Sequence, residues 1–89
     1  MTHYVYIIQS EADLSFYIGQ TQDLDQRLKK HNQGYSVYTR HLRPWRILAY
    51  KEVDLRGEAM KIEKKLKNLK SREKIMEFIA QHNFIITNI

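Results

Sequence analysis

Tyr6 and Tyr17 stand eleven residues apart in two short strand-like segments, and an Arg-x-x-x-His pair, Arg27 and His31, follows on the first helical stretch. Glu63 comes later, in a stretch crowded with lysine. An arginine can grip a non-bridging phosphate oxygen with a planar, two-pronged donor. A carboxylate can be one of the one or two that Mg²⁺ accepts while it keeps most of its waters. Hydrolysis of a phosphodiester also needs an activated water and a cation that stabilises charge building on the phosphoryl oxygens. Arg27 has the type to grip the phosphate oxygen and Glu63 the type to hold the metal cation. Tyr17 could position the water or the phosphate, and His31 could shuttle a proton or bind the scissile phosphate. Each residue also has an ordinary use: a Tyr6/Tyr17 cross-strand pair stabilises a sheet, His31 can be a packed, hydrogen-bonded histidine, and Glu63 can pair with Lys67 one helical turn on.

The surrounding charge favours a polyanionic partner. Fifteen Lys and Arg against ten Asp and Glu give +5, and the excess is concentrated. Residues 61–74 hold seven cations, among them Lys64, Lys67 and Arg72. A second cluster, Arg40-His41-Leu42-Arg43-Pro44-Trp45-Arg46, mixes cations with an aromatic ring and follows Tyr38. Cations attract phosphates while aromatic faces stack on bases, so Tyr38, Arg40, Arg43, Arg46, Lys64, Lys67 and Arg72 are candidate nucleic-acid contacts. With no cysteine in the sequence, disulfides, thiolate metal sites and cysteine nucleophiles are excluded, and any metal must use oxygen or imidazole. No apolar run approaches the roughly 18 residues needed to cross a bilayer, and no N-terminal segment reads as an export signal, so a cytoplasmic protein without membrane attachment is expected.

These residues need elements to hold them. Eighty-nine residues make one domain, 1–89, without repeats, low-complexity stretches or linkers. Residues 3–9 and 16–20 are rich in Tyr, Ile and Val and flank a polar stretch, which predicts a hairpin. Alternation puts Val5, Ile7, Phe16 and Ile18 on one face and Tyr4, Tyr6, Tyr17 and Gly19 on the other. Asp23 is an N-cap for a first helix that turns Leu24 and Leu28 inward and ends at Gly34, with Arg27 and His31 beside the leucine stripe. Residues 45–53 read as a third strand. A second helix is expected from an Asp54 cap with the stripe Leu55, Ala59, Ile62, Leu66 and Leu69. Ser71 caps a third, with Ile75, Phe78, Ile79 and His82 inward. The apolar tail, 83–89, fits a short added strand or a segment packed across the core. The expected fold is therefore α/β: a small three-stranded mixed sheet flanked by helices.

In this order the motifs resemble the GIY-YIG nuclease superfamily, in particular its small single-domain members. Tyr4-Val5-Tyr6 stands where the family has Gly-Ile-Tyr, and Tyr17-Ile18-Gly19 matches the second triplet. The run from Arg27 to Asn32 resembles the family's first helix. Tyr38-Thr39-Arg40 with Arg43-Pro44-Trp45 resembles the block before the third strand, and Glu58-Ala59 with Glu63 resembles the glutamate helix. The resemblance spans residues 3 to 75. It implies a metal-dependent endonuclease acting on DNA rather than RNA, at branched or repair-related structures. Tyr6, Tyr17, Arg27 and His31 would be catalytic and Glu63 the ligand of Mg²⁺ or Mn²⁺. Tyr6 is the family's base, although a tyrosine of ordinary pKa, about 10, needs a metal or a neighbouring cation to lower it. Gly19 would let a strand or substrate come close, as no side chain intervenes. Larger members also carry an asparagine after the glutamate; Asn68, five residues beyond Glu63, does not fit that place. Substrate choice would come from this domain, from self-association or from a protein partner. The competing readings are a non-catalytic nucleic-acid-binding module and a protein-interaction domain whose basic helix meets an acidic partner.

Overall fold

In the computed structural model, which describes residues 2–87, the chain runs β1 (His3–Ser10), β2 (Phe16–Thr21), α1 (Leu24–Gln33), a single 3-10 turn (Arg40–Leu42), β3 (Trp45–Val53), α2 (Arg56–Leu69), α3 (Arg72–Gln81) and β4 (Ile85–Ile86). The sheet order is β2-β1-β3-β4. Every neighbouring pair is antiparallel, so the sheet has four strands and is not mixed, which corrects the expected three-stranded mixed arrangement. The tail supplies the extra strand: Phe84 is buried, Ile85 and Ile86 pair with Tyr50 and Ala49, and Thr87 donates its backbone N–H to Leu48. Residues 88 and 89 of that tail lie outside the described residues.

Period-two alternation divides β1 cleanly. Val5 and Ile7 point into an aliphatic core completed by Ile18, Leu48, Ala49, Ala59, Leu66, Ile75, Phe78 and Ile79 under α2 and α3. Tyr6 and Ile8 point the other way and pack with Trp45, Tyr17, Leu24, Leu28 and Tyr50 under α1. Both sheet faces are thus covered. Along β3 the alternation breaks, because the register against β1 shifts between Ile7 and Ile8. Ile7 faces Ala49 while Ile8 faces Ile47, which leaves Leu48 as the extra residue of a bulge. Leu48 and Ala49 therefore both face the aliphatic core, while Ile47 and Tyr50 both face α1.

The ends of α1 follow the sequence. Asp23 accepts a hydrogen bond from Gln26 N, and Gly34 takes the left-handed conformation, φ 87°, that closes the helix. Ser71 caps α3 by accepting from Lys74 N. Asp54 does not cap α2. The first helical bonds, from Glu58 N and Ala59 N, go to the carbonyl of Leu55, so Leu55 is the N-cap and Asp54 lies one residue outside the helix. Leu55 is accordingly exposed, while Ala59 and Leu66 are buried and Ile62 and Leu69 pack against the core. His82 ends α3 with its ring stacked on Phe78 at 3.9 Å instead of entering the core.

Candidate active site

The register of the hairpin sets the site. Tyr6 faces Gly19 and Ile8 faces Tyr17, so the two tyrosines are diagonal neighbours on the α1 face rather than a direct cross-strand pair. A Cβ at Gly19 would lie 2.6 Å from the Tyr6 hydroxyl oxygen. The missing side chain is what lets the Tyr6 phenol lie flat across β2, so the close approach at Gly19 is made by the protein's own tyrosine. Tyr6 is left 1% exposed, with only its polar end needing partners.

Those partners come from α1. Arg27 and His31 are four residues apart, which stacks them on one side of the helix. Arg27 Nε donates to the Tyr6 hydroxyl at 3.3 Å, and His31 Nε2 lies 3.0 Å from the same oxygen. His31 Nδ1 is 2.8 Å from Thr39 Oγ1. The Tyr17 ring packs edge-on to the His31 ring at 5.1 Å. Outside this network opens a cleft of about 300 Å³ lined by Tyr17, Arg27, Lys30, His31, Tyr35, Ser36, Val37 and Tyr38. The structure thus gathers the sequence-predicted Tyr6, Tyr17, Arg27 and His31 at one place.

Burial and the Arg27 charge set the protonation states. Desolvation, with the nearby guanidinium adding to it, lowers the His31 pKa to about 4, so the imidazole is neutral at pH 7. Tyr6 is raised above the ordinary tyrosine value by its burial, which outweighs the opposing hydrogen bond and charge of Arg27. Arg27 alone therefore does not make Tyr6 a phenolate at neutral pH. Arg27 itself is held more firmly protonated by its hydrogen bond to Tyr6.

Glu63 comes from the other side of the sheet. It stands on α2, and Oε1 accepts from Gln20 Nε2 at 2.8 Å. Gln20 alternates with Gly19 on β2, so this bond brings the carboxylate to the outer edge of the strand that carries the second triplet. Its charge is felt at Tyr6, where it adds slightly to the upward shift. Oε2 meets Lys67 Nζ at 2.8 Å, with side-chain exposures of 17% for Glu63 and 52% for Lys67. The ordinary i, i+4 pairing thus forms, and the two carboxylate oxygens are shared between Gln20 and Lys67. Among the described residues no three of His, Asp and Glu cluster as a metal cage. One partly desolvated carboxylate, paired with a half-exposed ammonium, has the oxygen chemistry of a hard divalent ion that draws its other ligands from water and substrate.

The candidate phosphate contacts divide differently from their order in the sequence. Tyr38 lines the cleft and is 82% exposed, with Tyr35 beside it, whereas Arg40 and Arg43 lie next to Gly34 at the end of α1. Arg43 Nε donates to the Arg40 carbonyl at 2.7 Å, and Arg46 Nη2 donates to Gln9 Oε1 at 2.8 Å. Lys64 and Lys67 belong to α2 across the sheet. Arg72 is spent on the β1–β2 turn: its Nη2 donates to the Leu14 carbonyl at 2.7 Å and its guanidinium lies 4.5 Å from the Phe16 ring.

Sequence reasoning missed Gln20, Asn32 and Thr39. Gln20 is an ordinary strand residue until the register brings α2 beside it. Asn32 donates from Nδ2 to the Trp45 carbonyl and accepts the Trp45 N–H on Oδ1, at 3.0 and 2.6 Å. Thr39 was visible only as the middle of the Tyr38-Thr39-Arg40 block.

Residues 2–76 match the family model described as the GIY-YIG catalytic domain. A UPF0213 protein of Halalkalibacterium halodurans is 43% identical over 75 residues, which is 83% of this chain and 79% of that protein. A UPF0213 protein of Streptococcus pyogenes is 38% identical over 80 residues, covering 89% and 86% of the two chains. The solution NMR structure of a UPF0213 protein from Bacillus halodurans superposes with a TM-score of 0.58 at 38% identity, over 92% of this chain and 86% of that one.

Proposed function

The chain belongs to the GIY-YIG catalytic-domain family, and from that premise we propose that it is a divalent-metal-dependent endonuclease hydrolysing DNA phosphodiester bonds. One observation carries the reading: Tyr6, Tyr17, Arg27 and His31 converge beside a cleft rimmed by cations and exposed tyrosines. Arg27 spends Nε on Tyr6, so its terminal nitrogens can meet a non-bridging phosphate oxygen. Tyr17 walls the cleft and orients the phosphate or the attacking water. Tyr6 takes a proton from that water as it passes its own phenolic proton to the neutral His31, a relay that needs no free phenolate at pH 7. His31, which also lines the cleft, receives that proton at the end of the relay. Glu63 would hold Mg²⁺ or Mn²⁺, whose charge would stabilise the phosphoryl oxygens and the departing alkoxide.

DNA structures with branches, such as flaps and four-way junctions, are the substrates to test first beside linear duplex, and repair is the setting in which such cleavage would act. No helix among the described residues is long and apolar enough to cross a membrane, in keeping with a cytoplasmic enzyme that meets DNA alone or through a protein partner. The deciding assay incubates labelled linear, flap and four-way DNA with the protein in Mg²⁺ or Mn²⁺. Cleavage by the wild type, abolished in Glu63→Gln while DNA affinity is unchanged or improved, supports the reading. The Glu63–Lys67 ion pair favours the alternative of a DNA-binding module without turnover, and that alternative holds if wild type and Glu63→Gln bind DNA equally and neither cuts it in either metal.

A further inference from the structure

His31 is a neutral ring with two nitrogens in use, and which of them carries the hydrogen decides what it can do for Tyr6. Nε2 faces the Tyr6 hydroxyl and Nδ1 faces the Thr39 hydroxyl, so two O–H groups compete for the one bare nitrogen. A phenol is far more acidic than an aliphatic alcohol. The Tyr6 oxygen also accepts from the Arg27 guanidinium, an obligate donor that makes the phenolic hydrogen a better one to give. The strongest pairing is therefore Tyr6 O–H to His31 Nε2, which leaves Nδ1–H to donate to Thr39 Oγ1.

Thr39 is held to receive that hydrogen. It is 0% exposed, and its carbonyl accepts the indole N–H of Trp45 at 2.7 Å. Trp45 is in turn clamped at both backbone polar groups by Asn32, one residue beyond His31 on the same helix. Ser10 Oγ donates to the Leu42 carbonyl at 2.7 Å, tying the turn after Thr39 to the end of β1. The segment between α1 and β3 is thus strapped to both elements that carry the site.

We propose that Thr39 is a positioning residue that fixes His31 as the Nδ1–H tautomer, so that Nε2 stays open as the acceptor of the Tyr6 proton. Its catalytic consequence rests on the nuclease reading above; the tautomer itself does not. Long-range ¹H–¹⁵N correlation of the His31 ring tests it at pH 7. The wild type should show protonated Nδ1 and bare Nε2, and Thr39→Val should shift the ring toward the Nε2–H form. Cleavage should fall about 10- to 100-fold in Thr39→Val, by analogy with the loss of an outer partner that orients a metal-bound histidine. Thr39→Ser, which keeps the hydroxyl, should restore both tautomer and rate. A wild-type ring protonated on Nε2 overturns the proposal, and so does Thr39→Val with the wild-type tautomer and rate. Should Thr39→Val fail to fold, Thr39→Ala, which removes the hydroxyl with less bulk, takes its place in both measurements with the same two outcomes. If the wild type cuts no DNA, the nuclease reading fails while the ring nitrogens still report on Thr39.

Discussion

Tyr6 and Ile7 are adjacent in the chain and equally inaccessible to water, yet the two faces of the sheet they enter are built on different principles. Ile7 enters a hydrocarbon core in which α2 and α3 bury Leu66 and Ile79 completely. Tyr6 enters a layer in which every buried side-chain polar atom among the described residues is matched: hydroxyl to imidazole, imidazole to hydroxyl, indole to carbonyl. The first face is non-directional and tolerates exchange of one apolar shape for another of similar volume. The second depends on distance and on which atom owns each hydrogen, so small changes there redirect protons. Stability should concentrate on one face and chemistry on the other.

The largest separation should come from Tyr6→Phe, which keeps the ring and removes the hydroxyl at the centre of the polar face. Cleavage is expected to fall by about 10²–10⁴-fold, the contribution of a positioned acid–base group, while the fold survives. A chemical-denaturation midpoint measured beside the cleavage rate checks both halves. Full activity in this variant would erase the division and return Tyr6 to a packing role.

Leu66→Ala makes the complementary cut. Opening a cavity at a fully buried leucine on the aliphatic face should cost about 2–5 kcal/mol of unfolding free energy. The cleavage rate per folded molecule should stay near wild type. A rate that drops while the urea midpoint holds would show that the aliphatic face also tunes the site.

A smaller effect should appear with pH. The pKa of His31 falls from its ordinary 6.5 to about 4 on folding, so between those values the unfolded chain binds more protons than the native one. The stability this group contributes is complete above pH 6.5 and is lost as pH falls toward 4, by roughly 3 kcal/mol at most if the full shift is realised. Urea midpoints at pH 7.5 and 4.5 should differ more in the wild type than in His31→Gln. Equal differences in the two proteins would mean that His31 is hydrated in solution.

The smallest effect sharpens the electrostatic side of the comparison. Lys30 lines the cleft, whereas Lys64 stands on α2 across the sheet. Replacing Lys30 with Gln should flatten the salt dependence of DNA binding by about one unit, the scale of one lost phosphate contact. Lys64→Gln should change it less. The reverse ranking in a salt titration would move the DNA to the α2 face.

Much of this was legible in the residues. Alternation in β1 and β2 assigned the two faces, Asp23 and Gly34 marked the ends of α1, and the four-residue step from Arg27 to His31 put both on one side of that helix. Those features are local, fixed by strand and helix periods and by cap chemistry, so sequence alone determined them. The failures share a different cause. The apolar tail left open an added strand or a segment packed across the core, and only its pairing with β3, 35 to 37 residues back along the chain, decided for the strand. The Leu48 bulge depends on how β1 and β3 meet, and the N-cap of α2 at Leu55 depends on where the preceding strand lets go. Arg72 read as a free cation until its partners, Leu14 and Phe16, were in place, whereas the Glu63–Lys67 pair was already visible in their i, i+4 spacing. The site shows the same boundary: the sequence named Tyr6, Arg27 and His31, but only the packing of the 34–44 segment against α1 brought Thr39 to the far nitrogen of the ring. Periodicity is a property of neighbours along the chain, whereas a hydrogen-bond partner eight to forty-three residues away is chosen by the fold.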